Sequence, residues 1–240
     1  MSDILDNIYI VLVETSHSGN IGSTARAMKT MGLSQLRLVN PLQPIDEQAI
    51  SLAAGAKDVL ENSCIFDCFD DAIADCQLVV GSSARLRHLQ STLMNPRNAG
   101  ESVVERAKQG RVAVIFGRER VGLTNEELLK CHYHLNVPTN PEYGSLNLAM
   151  AVQLVSYEIR NAYLSLEKLQ KDQTKSPLVE YPTAEALEYF FQHTEKVYRD
   201  LGFIKNDAMM LKLRRLYQRT HLETTELNIL RGMLSAIEKS

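Results

Sequence analysis

The chain has 240 residues, with 26 Lys and Arg against 29 Asp and Glu and a formal net charge of -3. It is long enough to bury a substantial apolar core, and its near-neutral charge argues against a protein that coats nucleic acid nonspecifically. No apolar run reaches the about eighteen residues of a membrane span, and the opening MSDILDNIYIVLVE has no basic region before a long apolar stretch, so neither a membrane partner nor a signal peptide is expected and a cytoplasmic location follows.

In chain order, IYIVLV (Ile8 to Val13) is an apolar run of strand length, and NIGSTARAMKTMG after it reads as a helix ending at Gly32. QLRLVNP supplies a second strand, QLVVGSSA (Gln77 to Ala84) a third, RVAVIFG (Arg111 to Gly117) a fourth and YHLNVP (Tyr133 to Pro138) a last one. Helical segments such as DEQAISLAA, FDDAIADC and GESVVERAKQ lie between them. Apolar strands alternating with helices predict an α/β fold whose parallel sheet has helices on both faces, with functional residues in loops at the strands' carboxyl ends. A long helix from Ser145 carries Leu148, Val152, Val155, Ile159 and Tyr163 at helical spacing and closes a first domain, residues 1–170. KDQTKSPLVEYPT (Lys171 to Thr183) is polar with two prolines and reads as a linker. Residues 184–240 hold three amphipathic helices, an all-helical extension too small for an ample core of its own, expected to pack on the first domain or on a second copy.

Cys64, Cys68, Cys76 and Cys131 form no CxxC pair, so reduced, mostly buried thiols are expected and no metal site. In CHYH (Cys131 to His134) a strand sends alternate side chains to opposite faces, which separates the two histidines from the cysteine. Charge is locally uneven. From Arg85 to Arg120 eight bases stand against three acids, and from Lys205 to Arg219 the bases Lys205, Lys212, Arg214, Arg215 and Arg219 face only Asp207. Two such patches are either solvated surface or the seat of a polyanionic partner.

Three stretches carry candidate chemistry. In ETSHSGNIGSTARAMKTMG, neither a dinucleotide fingerprint nor a P-loop is present. Asn20 is placed to cap the helix, Ile21, Ala25, Met28 and Gly32 define its buried face, and Arg26 extends from the opposite side, either solvated or holding a phosphate or carboxylate. In VIFGRERVGLTNEEL, Thr124 and Glu127 form a capping box, whereas Glu119 either pairs with its flanking arginines or orients a ligand. In NPEYGSLNLAMAV, the Ser145 hydroxyl is the natural cap of the long helix, and Asn147 in the first turn has no such explanation.

Together NIGSTAR, FGRERVGLTNEE and VPTNPEYGSLNLAMA resemble, in order and spacing, the three motifs of the SpoU-like branch of the SPOUT RNA ribose 2′-O-methyltransferases, over about Ile8 to Ile159. VETSHSGNIGSTARAMKTMG, NPEYGSLNLAMAVQ and the helical extension are similar to its TrmJ-type members, which methylate the ribose of nucleotide 32, cytidine or uridine, in the tRNA anticodon loop. The resemblance implies a trefoil knot in the carboxyl-terminal half of the first domain and a homodimer with active sites at the subunit interface. It implies S-adenosyl-L-methionine as cofactor, held on this chain by Ser82, Ser83 and Ala84, Gly117, Val137, and Gly144, Ser145 and Leu146. It gives Arg26 the central catalytic role, with Ser145 and Asn147 holding the ribose or the loops and Asn20 and Glu119 arranging the first two motifs. Since a guanidinium with a pKa above about 12 is a poor base, Arg26 is expected to bind phosphate and stabilise developing alkoxide charge. Arg85, Arg87, Arg118, Arg214 and Arg215 are the candidates for contact with tRNA. The third motif departs from the family pattern, with Thr139-Asn140-Pro141 where a glycine usually follows Pro138, which leaves open which loop residue meets the cofactor. The alternative is a noncatalytic RNA-binding relative of the same fold.

Overall fold

The computed structural model describes residues 4–83, 93–170 and 180–239, with side chains to 166 in the middle stretch. Ala84, Arg85, Arg87 and most of the expected linker lie outside the described residues. The first half of the sheet domain runs β1 (Ile8–Val13), α1 (Ser18–Thr30), β2 (Gln35–Val39), α2 (Glu47–Ala53), α3 (Lys57–Glu61), β3 (Cys64–Phe66), α4 (Phe69–Ile73) and β4 (Leu78–Ser82). It continues with β5 (Leu93–Met94), α5 (Pro96–Ala107), β6 (Val112–Phe116), α6 (Asn125–Leu129), β7 (Tyr133–Leu135) and α7 (Leu148–Gln170). The seven strands form one sheet in the order β3-β2-β1-β6-β4-β7-β5, and every pairing is parallel. Two of these strands, β3 and β5, have no counterpart in the sequence reading. Consecutive strands β4 and β5 are separated in the sheet by β7, which pairs with both.

Strand alternation explains why the central strands are apolar throughout. In β1, Ile8, Ile10 and Leu12 face one core with residues of α1, α2, α5 and α7, while Val11 and Val13 face the other with α4 and α6. On α1, Ile21, Ala25 and Met28 are fully buried and Arg26 and Thr30 are exposed, as the spacing predicts, while Gly32, expected on the buried face, lies exposed past the helix end. Leu148, Val152, Val155 and Ile159 bury the inner face of α7. Of the four cysteines only Cys76 and Cys131 are buried, while Cys64, the first residue of the short edge strand β3, and Cys68 just after it are exposed, which corrects the expectation of mostly buried thiols.

The extension is α8 (Ala184–Asp200), α9 (Asp207–Thr220) and α10 (Thr224–Ile237). It does have a core of its own, contrary to expectation: Leu187, Phe190, Phe191, Val197, Ile204, Met210, Leu227 and Leu234 pack together, with Phe190 edge-on to Tyr217. It also docks on the sheet domain. Ala184 N donates to Cys76 O (2.7 Å) and Glu185 N to Ala74 O (3.1 Å), while Arg106 stacks over Tyr181 at 3.2 Å and reaches His221 Nδ1 at 3.2 Å. His221, in the left-handed region that ends α9, also meets the Tyr133 hydroxyl at the start of β7.

Candidate active site

The carboxyl ends of β4, β6 and β7 and the loop before α7 enclose a cavity of about 340 Å³. Its walls are Ser82 and Ser83 at the end of β4, the stretch from Phe116 to Leu123 at the end of β6, Leu135, Val137 and Thr139 at and beyond the end of β7, Gly144, Ser145 and Leu146 before α7, and Leu148 and Ala151 in its first turn. Every described residue expected to bind cofactor is therefore on one wall or another. Asn136, which sequence reasoning passed over, ties the β4 and β7 ends together: its Nδ2 donates to Ser83 O (2.8 Å), while Ser83 N donates to Leu135 O (2.8 Å). Thr139, the departure from the family pattern, lines the cavity and donates to Gly144 O at 3.2 Å, so it braces the loop where a glycine would not.

The turn after β6 is compact because two glycines allow it. A Cβ on Gly117 would lie 2.2 Å from Gly122 C and 2.3 Å from Leu123 N, and Gly122 itself has φ +70. Gly122 N closes the turn on Arg118 O at 2.8 Å. Beyond it the expected capping box is present, with Thr124 Oγ1 accepting from Glu127 N (3.2 Å) and Glu127 Oε2 accepting from Thr124 N (2.7 Å).

From that turn Glu119 reaches away from its neighbours in sequence to the amino end of α1. It accepts from Ser16 N (3.1 Å), Ser16 Oγ (2.9 Å), His17 N (3.3 Å) and Asn20 Nδ2 (3.0 Å). The helix has His17 at its N-cap with no side-chain cap, and the Glu119 carboxylate binds the amides of the N-cap residue and of Ser16 just before it, where negative charge meets the helix dipole. Burial alone would raise the Glu119 carboxyl, but hydrogen bonds from Asn20 and Ser16 outweigh it and hold it below its ordinary value. Asn20 is thus inside the first turn rather than the cap expected of it. Its Oδ1 in turn accepts from Asn147 Nδ2 at 2.9 Å.

At the third motif the structure reverses the expected assignments. The helix begins at Leu148, and Asn147 caps it, its Oδ1 accepting from Ala149 N (3.0 Å) and Met150 N (3.4 Å). Ser145, expected to cap, is an exposed residue of the cavity wall. Asn147, Asn20 and Glu119 therefore make one directed chain of hydrogen bonds through all three motifs.

The arginines divide sharply. Arg118 is no open cation: its guanidinium grips Glu14 (2.6 and 2.8 Å) and Glu127 (3.0 and 3.1 Å), whose hydrogen bonds, Glu14's first, raise it above its ordinary value. Arg214, also expected to meet substrate, is paired with Glu188 (2.6 and 2.7 Å) against the Phe191 ring, and Arg215 is half-buried beside it on α9. Arg26 is exposed on α1, does not line the cavity, and makes no hydrogen bond or ion pair with a described residue. Arg120, counted in the sequence only as part of a basic patch, is exposed at the cavity rim and likewise makes none with a described residue.

Known families fit this arrangement. The family model of the SpoU rRNA Methylase family matches residues 7–157, and that of the tRNA methyltransferase TrmJ C-terminal domain matches residues 185–240. The chain belongs to the SpoU methylase family, in its TrmJ branch. An uncharacterized tRNA/rRNA methyltransferase of Haemophilus influenzae is 61% identical over 98% of this chain and 96% of its own. The tRNA (cytidine/uridine-2'-O-)-methyltransferase TrmJ of Photorhabdus laumondii is 59% identical, with 98% of each chain covered. Among solved structures, TrmJ from Z. mobilis ZM4 superposes with a TM-score of 0.80 at 32% identity, covering 96% of this chain and 98% of that one. The cavity is walled by the second and third motifs, and the first motif is tied to it through the hydrogen bonds of Asn20 to Glu119 and Asn147.

Proposed function

We propose that the enzyme transfers a methyl group from S-adenosyl-L-methionine to the ribose 2′-hydroxyl of nucleotide 32, cytidine or uridine, in the anticodon loop of tRNA, and that it does so in the cytoplasm. The observation that carries this reading is the hydrogen-bond chain from Asn147 through Asn20 to Glu119, which ties the first motif to the two motifs that wall the cavity. The cavity falls in the about 300–1,000 Å³ range of small-molecule sites, and its walls combine small residues with apolar ones, as a cofactor with a flat base and a short chain requires. Ser82, Ser83, Gly117, Val137, Gly144, Ser145 and Leu146 would hold it, and when bound it supplies a methyl carbon made electrophilic by a sulfonium.

The chain's own contribution is mostly placement, because the displacement needs the ribose oxygen in line with the methyl carbon. Ser145 offers a hydroxyl at the cavity wall, and Arg26 offers an exposed guanidinium with no partner among the described residues, suited to a backbone phosphate and to the charge developing on the 2′-oxygen. Arg26 lies off the cavity on α1, which fits a site completed by a second copy. Exposed Met150, Leu154 and Tyr157 give α7 an apolar stripe at helical spacing, and Tyr143 beside it is 82% exposed, supporting a homodimer through this face. The placement of β7 between β4 and β5 suits the threading of a trefoil knot. We assign residues 1–170 to the catalytic domain, 171–183 to a linker and 184–240 to tRNA binding, with Lys205, Lys212 and Arg219 exposed there.

Incubating the protein with tritiated S-adenosylmethionine and bulk tRNA tests the reading. Radioactivity in tRNA, mapped to a 2′-O-methylated nucleotide 32, is the expected result. No incorporation, with tRNA still bound, would leave a noncatalytic RNA-binding protein.

A further inference from the structure

We propose that Arg118 is a positioning residue, a clamp that shapes the cofactor cavity through Glu14 and Glu127 and does not touch RNA. The proposal rests on the reading of the cavity as the S-adenosylmethionine site. A guanidinium carries five N–H donors, and each here has an acceptor inside the protein. Nε reaches Glu14 (2.8 Å), Nη2 reaches Glu14 (2.6 Å) and Glu127 (3.1 Å), and Nη1 reaches Glu127 (3.0 Å) and Gly122 O (3.4 Å). A phosphate arriving from solvent would find no free donor and would meet two carboxylates; the side chain is only 19% exposed.

What the clamp holds is the turn from Gly117 to Gly122 that walls the cavity. Arg118 fixes Gly122 twice, by its own carbonyl, which accepts from Gly122 N (2.8 Å), and by its Nη1. Glu14 anchors it to the end of β1, where the residue adopts φ +46, uncommon for a side chain with a Cβ, and where its amide is tied to Val39 O at 2.8 Å. Glu127 anchors it to the first turn of α6. Arg118 and Glu119 then act as a pair with opposite charges pointing in different directions. Arg118 draws in the carboxylate of Glu14, Glu119 draws in the amides of Ser16 and His17, and between them they lock the segment from β1 into α1 against the cavity turn. A lysine keeps the charge but lacks the fork that holds two carboxylates and a carbonyl together.

The test uses the full-length protein as wild type, Arg118→Lys, Arg118→Ala, Glu14→Gln and the double variant Arg118→Ala/Glu14→Gln. Calorimetry measures S-adenosylmethionine affinity, gel shift at several salt concentrations measures tRNA affinity, and amide exchange follows Gly122 in ligand-free protein. For Arg118→Lys the expected result is cofactor affinity about tenfold weaker, from a misplaced cavity wall, with tRNA affinity and its salt slope unchanged and Gly122 exchanging faster. Glu14→Gln is expected to shift cofactor affinity in the same direction, and the double variant to be no worse than Arg118→Ala alone. Unchanged cofactor affinity and exchange in Arg118→Lys, or weaker tRNA binding with a shallower salt slope, would overturn the clamp. A wild type that binds tRNA but no S-adenosylmethionine would instead overturn the reading of the cavity, while Gly122 exchange still decides the clamp.

Discussion

Asn147 does two jobs that substitution can separate. Its Oδ1 caps α7 by accepting from Ala149 N and Met150 N, and its Nδ2 donates to Asn20. Asn147→Ala removes both. Losing the cap costs about 1 kcal/mol, and for a chain of this size that lowers the melting temperature by roughly 2–4 °C. Asn147→Asp keeps an acceptor over the same two amides, and its charge suits the helix dipole, so its melting temperature is expected to match or exceed the wild type's. The aspartate cannot donate to Asn20 Oδ1, however, and turning the Asn20 amide to meet it would set that oxygen against Glu119. The chain of donation is broken with the cap intact. If that chain sets the mutual position of the motifs, single-turnover methyl transfer should fall about a hundredfold in both variants, the scale of loss expected from a misplacement near 1 Å. Thermal denaturation and rapid-quench assays read the two effects separately. An aspartate variant that melts as low as the alanine one, or that turns over at the wild-type rate, would refute the division of labour.

Arg26→Ala, at an exposed position without a partner among the described residues, should leave stability within about 0.5 kcal/mol and cofactor binding intact while transfer falls by about 10²-fold or more; calorimetry showing lost cofactor binding would contradict this. Gly117→Ala drives a Cβ to 2.2 Å from the Gly122 backbone, so the turn must open; cofactor binding is expected to vanish and stability to drop by about 1–3 kcal/mol, measured by urea unfolding. Burial alone would raise the Asp75 carboxyl, but Arg37 (2.7 Å) and Arg111 overcome it and hold the group at about 2. Its contribution is therefore fully present above about pH 4, where a free aspartate titrates, and is lost as pH falls through about 2, so the urea midpoints of wild type and Asp75→Asn should converge only in strong acid.

The central sheet was legible because strands buried on both faces are apolar at every position, as in Ile8 to Val13. β3 and β5 were not: strands of three and two residues at the two edges of the sheet, with Ile65 and Leu93 exposed, carry too little pattern to register. The helix starts failed for a different reason. Ser145 and Asn20 were assigned caps from local preference, yet Asn147 caps α7, and the approach to α1 is held by Glu119, about a hundred residues away, a distance invisible to any local rule. Asn147 was singled out because no local role explained it, and it is the residue that reaches across to Asn20. Charge patterning misled in the same way. Arg106, Arg111, Arg118 and Arg214 counted toward basic patches, but each faces an aromatic ring or a carboxylate that the fold delivers from elsewhere in the chain.

The position of β7 also governs the order in which the molecule can be completed. In the sheet β5 is hydrogen-bonded to β7, and Ser82 at the end of β4 is registered on Leu135 of the same strand. A nascent chain that has released only its first 130 residues thus has β4 and β5 made but no strand to join them. The cavity, whose walls come from β4, β6, β7 and the approach to α7, cannot close until nearly two thirds of the polypeptide is out, and that order sets the minimum length of chain on which a small molecule could first be held there.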